Sequence, residues 1–114
     1  MGYTNTSKNV ALDAIGSAAT YISMHTGDPG STGTAEVTGG SYARVATTWG
    51  AASAASKAGS QVTSNIPAST TITFWGLWTA SSGGTFHYGG ALSASESFGG
   101  AGTYLFTPTL TASG

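Results

Sequence analysis

The stretch YISMHTGDPGSTGTAEVTGGSYAR, residues 21–44, decides the fold that we predict for this chain. Its first five residues alternate polar and apolar side chains, a pattern typical of a half-buried strand. The Asp-Pro-Gly sequence at 28–30 predicts a tight turn, because proline fixes its own φ and glycine tolerates positive φ. A glycine-rich loop over about residues 26–42 follows, and residues 44–49 resume an extended pattern. A loop this long in a small domain is usually functional or an interaction surface.

The second half of the chain carries further strand patterns. Residues 70–79 place large apolar side chains on both faces, which predicts a central strand or one covered on both sides. The Ser-Ser-Gly-Gly sequence at 81–84 predicts a hairpin loop, and residues 85–92 return from it. Residues 61–66 and 103–107 also alternate. About six or seven strands at such short intervals are typical of an antiparallel β-sandwich or a jelly roll.

One stretch, residues 7–19, has the periodicity of a helix, with Leu12 and Ile15 on one face. Thr6 or Ser7 can cap its first turn. The segment between the strands at residues 50–60 is rich in Ala and Ser, and we interpret it as a loop or a weakly helical surface segment. We therefore expect a single, mainly β domain over residues 1–114, with one short N-terminal helix.

Charge is scarce in this sequence: 6% of the residues are Asp, Glu, Lys or Arg, against roughly a quarter in an average soluble domain. Without a basic patch, binding to nucleic acid through phosphate neutralisation is not expected. So little charge gives a free monomer weak colloidal protection, which favours a protein that works inside a large assembly. The alternative is a domain rich in Gly, Ala, Ser and Thr that its hydroxyl groups keep soluble.

Targeting and redox signals are missing from the sequence. There is no cysteine, which excludes disulfides and thiol catalysis. The N-terminus lacks the basic and apolar regions of a secretory signal, and no apolar run approaches the roughly 20 residues that cross a bilayer. We expect synthesis in the cytoplasm of the producing cell and no membrane partner.

No pattern indicates catalysis, a metal or a cofactor. The carboxylates of Asp28, Glu36 and Glu96 lie in or near loops, and no spacing brings two of them together for acid–base chemistry. His25 and His87 lack the spacing of metal ligands. Neither a nucleophile elbow nor a phosphate-binding loop is present. We therefore expect no enzyme activity.

Two blocks of the sequence resemble a family of small phage virion proteins described as tail-fibre-like, minor tail or capsid accessory proteins. The first block is HTGDPG, then Glu36, then GGSYAR. The second is FWGLWTASSGGTFHYGGAL, residues 74–92, with its Trp-Gly-Leu-Trp strand and Gly-Gly hairpin. The resemblance implies a structural protein of the virion.

Two classes of function stay open at this point. The first is a virion structural protein, for which we favour decoration of the capsid exterior, in contact with the major capsid protein; a tail or baseplate fibre component in contact with tail proteins is the alternative. Such a protein is expected to be a homo-oligomer, and a trimer is a guess from the symmetry sites of phage shells. The second class is a carbohydrate-binding module for the host surface, which needs two aromatic side chains exposed together.

Six residues are candidates for ordering the long loop or forming an interface: Asp28, Glu36, Tyr42, Arg44, Trp75 and Trp78. Arg44 can make a charge-assisted contact with Asp28, with Glu36 or with a neighbouring subunit; the alternative is an exposed arginine that contributes little. Trp75 and Trp78 fall on opposite faces of their strand, which leaves one of them to be covered by the helix or by another chain.

Overall fold

The computed structural model describes residues 3–112, which form one helix and eight strands. The elements are α1 (Asn5–Ala18), β1 (Tyr21–His25), β2 (Val45–Ala46), β3 (Ser56–Ala58), β4 (Val62–Ile66), β5 (Thr70–Trp78), β6 (Phe86–Phe98), β7 (Gly102–Phe106) and β8 (Thr109–Thr111). The mainly β class with one N-terminal helix, predicted from the sequence, is confirmed.

The strands form one larger sheet and two strand pairs, and all pairings among the described residues are antiparallel. The larger sheet has the order β2-β1-β5-β6, while β3 pairs with β8 and β4 pairs with β7. Phe106 of β7 packs on Trp75 of β5, with ring centroids 5.2 Å apart. The β4–β7 pair therefore lies across the face of the four-stranded sheet, as expected for a sandwich.

The inner face of the four-stranded sheet builds the core. Met24 lies opposite Trp75 and Ile22 lies opposite Leu77 in the β1–β5 register, so the period of two places all four side chains on one face. The buried apolar side chains of this core are Leu12, Ala19, Ile22, Met24, Val37, Val62, Ile66, Ile72, Trp75, Leu77, Leu92 and Leu110.

The other face of the same sheet is covered by residues 26–44, which we call the covering loop. Gly33 of this loop has φ +78°, and a Cβ at this position would overlap the ring of Trp78. Pro29 lies over Gly89 of β6, where a Cβ would come within 2.6 Å of the proline ring. The large apolar groups on both faces of β5 are thus explained by a core on one side and the covering loop on the other.

The helix starts two residues before the predicted position, at Asn5, and ends at Ala18. Thr4, in an extended conformation, is the N-cap, and its Oγ1 accepts a hydrogen bond of 3.2 Å from the backbone N–H of Ser7. At the other end Ala19 is already extended, because it leads directly into β1. The prediction of Thr6 or Ser7 as the cap was wrong, because Thr4 provides the hydroxyl oxygen that a helix N-terminus requires.

Residues 50–60 contain β3 and are held by α1 side chains. The Nζ of Lys57 donates to the Oδ1 of Asp13 at 2.6 Å and to the carbonyl of Gly50 at 2.7 Å. Asp13 Oδ1 also accepts from the backbone N–H of Ala52 at 2.9 Å. A Cβ at Gly16 would overlap the Lys57 side chain, so this glycine makes room for the ion pair between the helix and β3.

Two other strand boundaries differ from the predictions. The predicted strand at 44–49 is reduced to Val45–Ala46, with an isolated bridge between Trp49 and Gly59. The strand predicted at 85–92 continues to Phe98, because β5 pairs with it at residues 88–91 and, after a shift in register, again at residues 96–98.

Candidate functional site

Arg44 and Glu36 join the end of the covering loop to its middle. The Nε of Arg44 donates to Oε2 of Glu36, and Nη2 donates to Oε1, both at 2.9 Å. The two side chains are only 9% and 20% exposed. A two-point contact between a guanidinium and a carboxylate is stronger and more directional than a single hydrogen bond, so this pair sets the conformation of residues 36–44.

The same guanidinium also holds the turn between β5 and β6. Nη1 of Arg44 donates to the carbonyl oxygen of Ala80 at 3.0 Å and to that of Gly83 at 2.8 Å. Its Cζ lies 3.7 Å from the centroid of the Trp78 ring, a cation–π contact. One side chain therefore connects the covering loop, the hairpin turn and β5, and the planar fork of arginine is what permits all these contacts at once.

Tyr42 completes the polar cluster. Its hydroxyl donates to Oε2 of Glu36 at 2.7 Å and accepts from the backbone N–H of Met24 at 3.1 Å. Burial, together with the hydrogen bond to Glu36, raises the pKa of Tyr42 far above its ordinary value. Burial opposes ionisation of Glu36, but the hydrogen bonds from Arg44 and Tyr42 outweigh it, so the pKa of Glu36 lies below its ordinary value. Glu36 is therefore ionised at neutral pH.

A second polar chain ties the middle of the covering loop, at Thr34, to the sheet. Nδ1 of His25 lies 2.7 Å from the carbonyl oxygen of Thr34, which can only accept, so Nδ1 carries the proton. Nε2 is then the acceptor for the Ser23 hydroxyl at 2.7 Å, and Ser23 Oγ accepts from Nε1 of Trp78 at 2.9 Å. Burial lowers the pKa of His25, which keeps the imidazole neutral and suited to these partners.

Ser23 and His25 have the separation of a nucleophile and a general base, but their surroundings do not suit catalysis. Both residues are fully buried between the sheet and the covering loop. The other ring nitrogen of His25 is held by a backbone carbonyl, and the serine oxygen is held by Trp78. A substrate would have to displace the loop to reach them, so the pair has a structural role in this conformation.

The remaining predicted site residues lie as follows. Asp28 does not contact Arg44; its Oδ1 accepts from the backbone N–H of Gly30 at 2.9 Å and closes the turn. Trp75 and Trp78 are 4% and 8% exposed. The covering loop, rather than the helix or another chain, lies over Trp78. The exposed aromatic pair that a carbohydrate-binding module requires is therefore not formed by these two side chains.

The prediction from sequence missed the Ser23–His25 pair. The signal was present, because β1 places Ser23 and His25 on the face opposite Ile22 and Met24. Next to a strand that is apolar on both faces, such polar groups indicate a covering layer with polar partners. The identity of the main partner, the carbonyl of Thr34, carries no sequence signal because every residue has that group.

Among residues 3–112, no group of three or more His, Asp or Glu side chains lies close enough together to hold a metal ion. Within the same residues, no helix is both long and apolar enough to span a membrane.

Comparison with known protein families gives a match over nearly the whole chain. The family model of the podophage GP4 fiber I protein gp80 matches residues 4–111. No curated protein matches the sequence significantly. The match supports the predicted phage virion class, and it favours the fibre alternative over capsid decoration. Because it covers nearly the whole chain, the protein belongs to the family of the podophage GP4 fiber I protein gp80.

Proposed function

We propose that this chain is a structural subunit of a phage tail fibre, which acts through contacts with other virion proteins and not through catalysis. The family match over residues 4–111 carries the proposal. Its partners are tail proteins and further copies of the chain. Capsid decoration, which we favoured from the sequence, has no support from the family description.

The distribution of charge supports a role in an assembly. Two ion pairs within the chain, Arg44–Glu36 and Lys57–Asp13, use the two cations whose side chains are less than 10% exposed. The charged side chains outside these pairs, among residues 3–112, are Lys8, Asp28 and Glu96. With so few charges on 5820 Å² of accessible surface, copies can approach closely with little repulsion and little loss of charge solvation.

The exposed faces of the strand pairs also suit close protein contact. Thr63 and Asn65 of β4 lie opposite Leu105 and Thr103 of β7, and all four side chains are exposed. Leu105 is 59% exposed. Short polar side chains lose little conformational entropy when a partner immobilises them, so such a face can be buried with a small entropic penalty.

The position of the chain in the particle tests the proposal. A phage that lacks the gene for this chain should assemble filled heads with tails that lack a fibre in electron micrographs, and expression in trans should restore the fibre. Antibody against the chain should label the tail of wild-type particles. Labelling spread over the head, with fibres unchanged by the deletion, would show that the chain is a shell protein.

A further inference from the structure

Residues 27–34 of the covering loop form a compact segment on the outer face of the four-stranded sheet, which we call the flap. The backbone N–H groups of Gly33 and Thr34 both donate to the carbonyl oxygen of Pro29, at 2.9 and 3.0 Å. These hydrogen bonds lie within the flap and close it into a turn of its own. The flap can therefore move against the sheet as a unit, without losing its internal order.

A narrow neck connects the flap to the rest of the domain. The backbone N–H of Thr26 donates to the carbonyl oxygen of Ala35 at 2.9 Å, next to the β-bridge between His25 and Glu36. Ala35 has φ +61°, a left-handed conformation that an alanine adopts only at a cost. Such strain persists only while the surrounding structure imposes it, so Ala35 is a backbone position that relaxes when the flap moves.

Three contacts hold the flap against the sheet. Two of them are the packing contacts described above, of Gly33 on the Trp78 ring and of Pro29 on β6. The third is the hydrogen bond of 2.7 Å between Nδ1 of His25 and the carbonyl oxygen of Thr34. The packing contacts do not depend on pH, whereas the hydrogen bond involves a side chain that titrates near neutral pH.

The hydrogen bonds beneath the flap fix a single arrangement of protons. Nδ1 of His25 carries a proton because the carbonyl oxygen of Thr34 can only accept. Nε2 accepts from the Ser23 hydroxyl, and Ser23 Oγ accepts from Nε1 of Trp78. Ser23 and His25 are fully buried, so each of these groups depends on its neighbour in the chain and not on water.

A second proton on His25 does not fit this arrangement. Nε2 would become a donor, and the Ser23 hydroxyl would lose the acceptor for its own hydrogen, in a site that is closed to water. A buried donor without a partner and a buried imidazolium are both unfavourable. Once the flap is raised, water can solvate both groups, so protonation favours the raised position.

Among residues 3–112, the charged groups that act on this imidazole belong to the covering loop. Glu36 favours its protonation and Arg44 opposes it, and these two side chains are bound to each other. Tyr42, which donates to the same carboxylate, stays neutral because burial raises its pKa. The sheet faces the imidazole with Gly76 of β5 and with the ring of Phe86 of β6, edge-on at 6.2 Å. Because the ion pair has no net charge, it does little to stabilise an imidazolium beside it.

We propose that the flap is a conformational switch: protonation of His25 raises residues 27–34 from the sheet while the remainder of the domain stays folded. The bidentate contact between Arg44 and Glu36 lies outside the flap and holds the C-terminal part of the covering loop in place. The raised state exposes Ser23, His25 and the Trp78 ring, all of which are buried in the closed state. The domain thus presents two different surfaces, and the pH selects between them.

Hydrogen exchange of the indole N–H groups, followed by NMR, tests the switch in the unmodified chain. The indole N–H of Trp78 is bonded to Ser23 beneath the flap, whereas that of Trp49 is bonded to the carbonyl oxygen of Ala19, away from the flap. Between pH 7.5 and pH 5.5, the protection of the Trp78 indole relative to the Trp49 indole should fall several-fold. The upper limit is about tenfold per pH unit, which corresponds to the uptake of one proton.

Two histidine variants show which group controls the flap. His25→Asn has no imidazole at this position, so its ratio of Trp78 to Trp49 protection should no longer change with pH. His87→Asn is the matched control, because His87 is exposed, and it should respond as the wild type does. If His25→Asn does not fold, the wild-type ratio and the His87→Asn control still test whether the flap opens.

Three results would each overturn the switch. The first is a ratio of Trp78 to Trp49 protection that does not change with pH in the wild type. The second is an equal loss of protection at both indoles, which would mean that the whole domain loosens. The third is a pH response that persists in His25→Asn. None of these results bears on the fibre role, because the flap is a property of the single domain.

Discussion

At the scale of single residues, Arg44 connects the covering loop to the turn between β5 and β6. It makes four hydrogen bonds, two to Glu36 and two to the carbonyls of Ala80 and Gly83, and stacks on Trp78. The sequence indicated a carboxylate partner but left Asp28 and Glu36 open. The choice between them depends on tertiary geometry. The carboxylate of Asp28 accepts a hydrogen bond from Gly30 within its own turn, whereas Glu36 forms a β-bridge with His25 of β1 and so lies beside the sheet.

Replacement of Arg44 by alanine should therefore destabilise the fold strongly. Removal of one partner from a largely buried ion pair costs about 3–5 kcal/mol, because Glu36 keeps only the Tyr42 hydroxyl as a side-chain donor and two carbonyls lose the Arg44 donor. Arg44→Lys should recover part of the lost stability, because it keeps the positive charge beside Glu36. The recovery should be incomplete, because an ammonium cannot make the two-point contact and also reach the turn. Urea unfolding measures both effects, and hydrogen exchange in residues 26–44 should be faster in each variant. Lys8→Ala is the control, because Lys8 lies outside both ion pairs. Its free energy of unfolding should change by no more than about 0.5 kcal/mol.

His25 should make stability depend on pH. Its pKa in the folded state lies below the ordinary value of 6.5 because it is buried, so the unfolded chain binds the proton more readily. The stabilisation is complete above pH 6.5 and is lost as the pH falls below that value towards the folded pKa, by up to about 1.4 kcal/mol per pH unit. Glu36 adds a loss at lower pH, because its pKa is also depressed, from an ordinary value of 4.5.

Urea midpoints at several pH values between 4.5 and 7.5 test this pH dependence. The decline below pH 6.5 should persist in His87→Asn, whose ring is exposed, and should disappear in His25→Asn. If the urea midpoint falls with decreasing pH as steeply in His25→Asn as in the wild type, another group is responsible for the pH dependence.

At the scale of elements, the covering loop acts as a third layer although it contains little regular secondary structure. The polar contacts in its middle and at its C-terminal end, together with the close packing of Gly33 on Trp78, hold it on the outer face of the sheet. The turn at 28–30 and the extent of the loop could be predicted from glycine and proline. Its position on the sheet could not, because the contacts that fix it join residues far apart in sequence.

Two glycines of this loop separate the contribution of packing from that of backbone conformation. Gly30 and Gly33 both have positive φ, +61° and +78°, but no atom lies within 4 Å of a Cβ at Gly30. Gly30→Ala should cost about 1–2 kcal/mol, the conformational term alone. Gly33→Ala should cost clearly more, because its methyl group would overlap the Trp78 ring. Urea unfolding compares the two, and equal losses would mean that the loop does not pack on Trp78 as described.

The β3 region shows the opposite limit of sequence-based prediction. Residues 50–60 contain no large apolar side chain, so neither periodicity nor propensity indicates a strand there. The strand pairs with β8, and the segment is held on α1 because Lys57 and the backbone N–H groups of Ala52 and Ala55 bind Asp13 and Asn9. Polar contacts between separate elements decide this segment, and such contacts have no local pattern.

At the scale of the whole molecule, the protein is an elongated, nearly chargeless body of 46 × 23 × 23 Å. Hydrophobic periodicity was sufficient to predict its class and its helix, and the Ser-Ser-Gly-Gly sequence predicted its central hairpin. The family match changed the favoured place in the virion from the capsid to the fibre, a distinction that composition could not make, since low charge suits any large assembly.

The number of copies of this chain per particle tests the central claim most directly. Quantitative mass spectrometry of purified virions can measure its molar ratio to the major capsid protein. A fibre subunit should be present at a small fraction of the capsid protein, because a particle carries one tail and many shell subunits. A ratio close to one chain per shell subunit, or a fixed simple fraction that follows the shell lattice, would contradict the fibre role and indicate a shell protein.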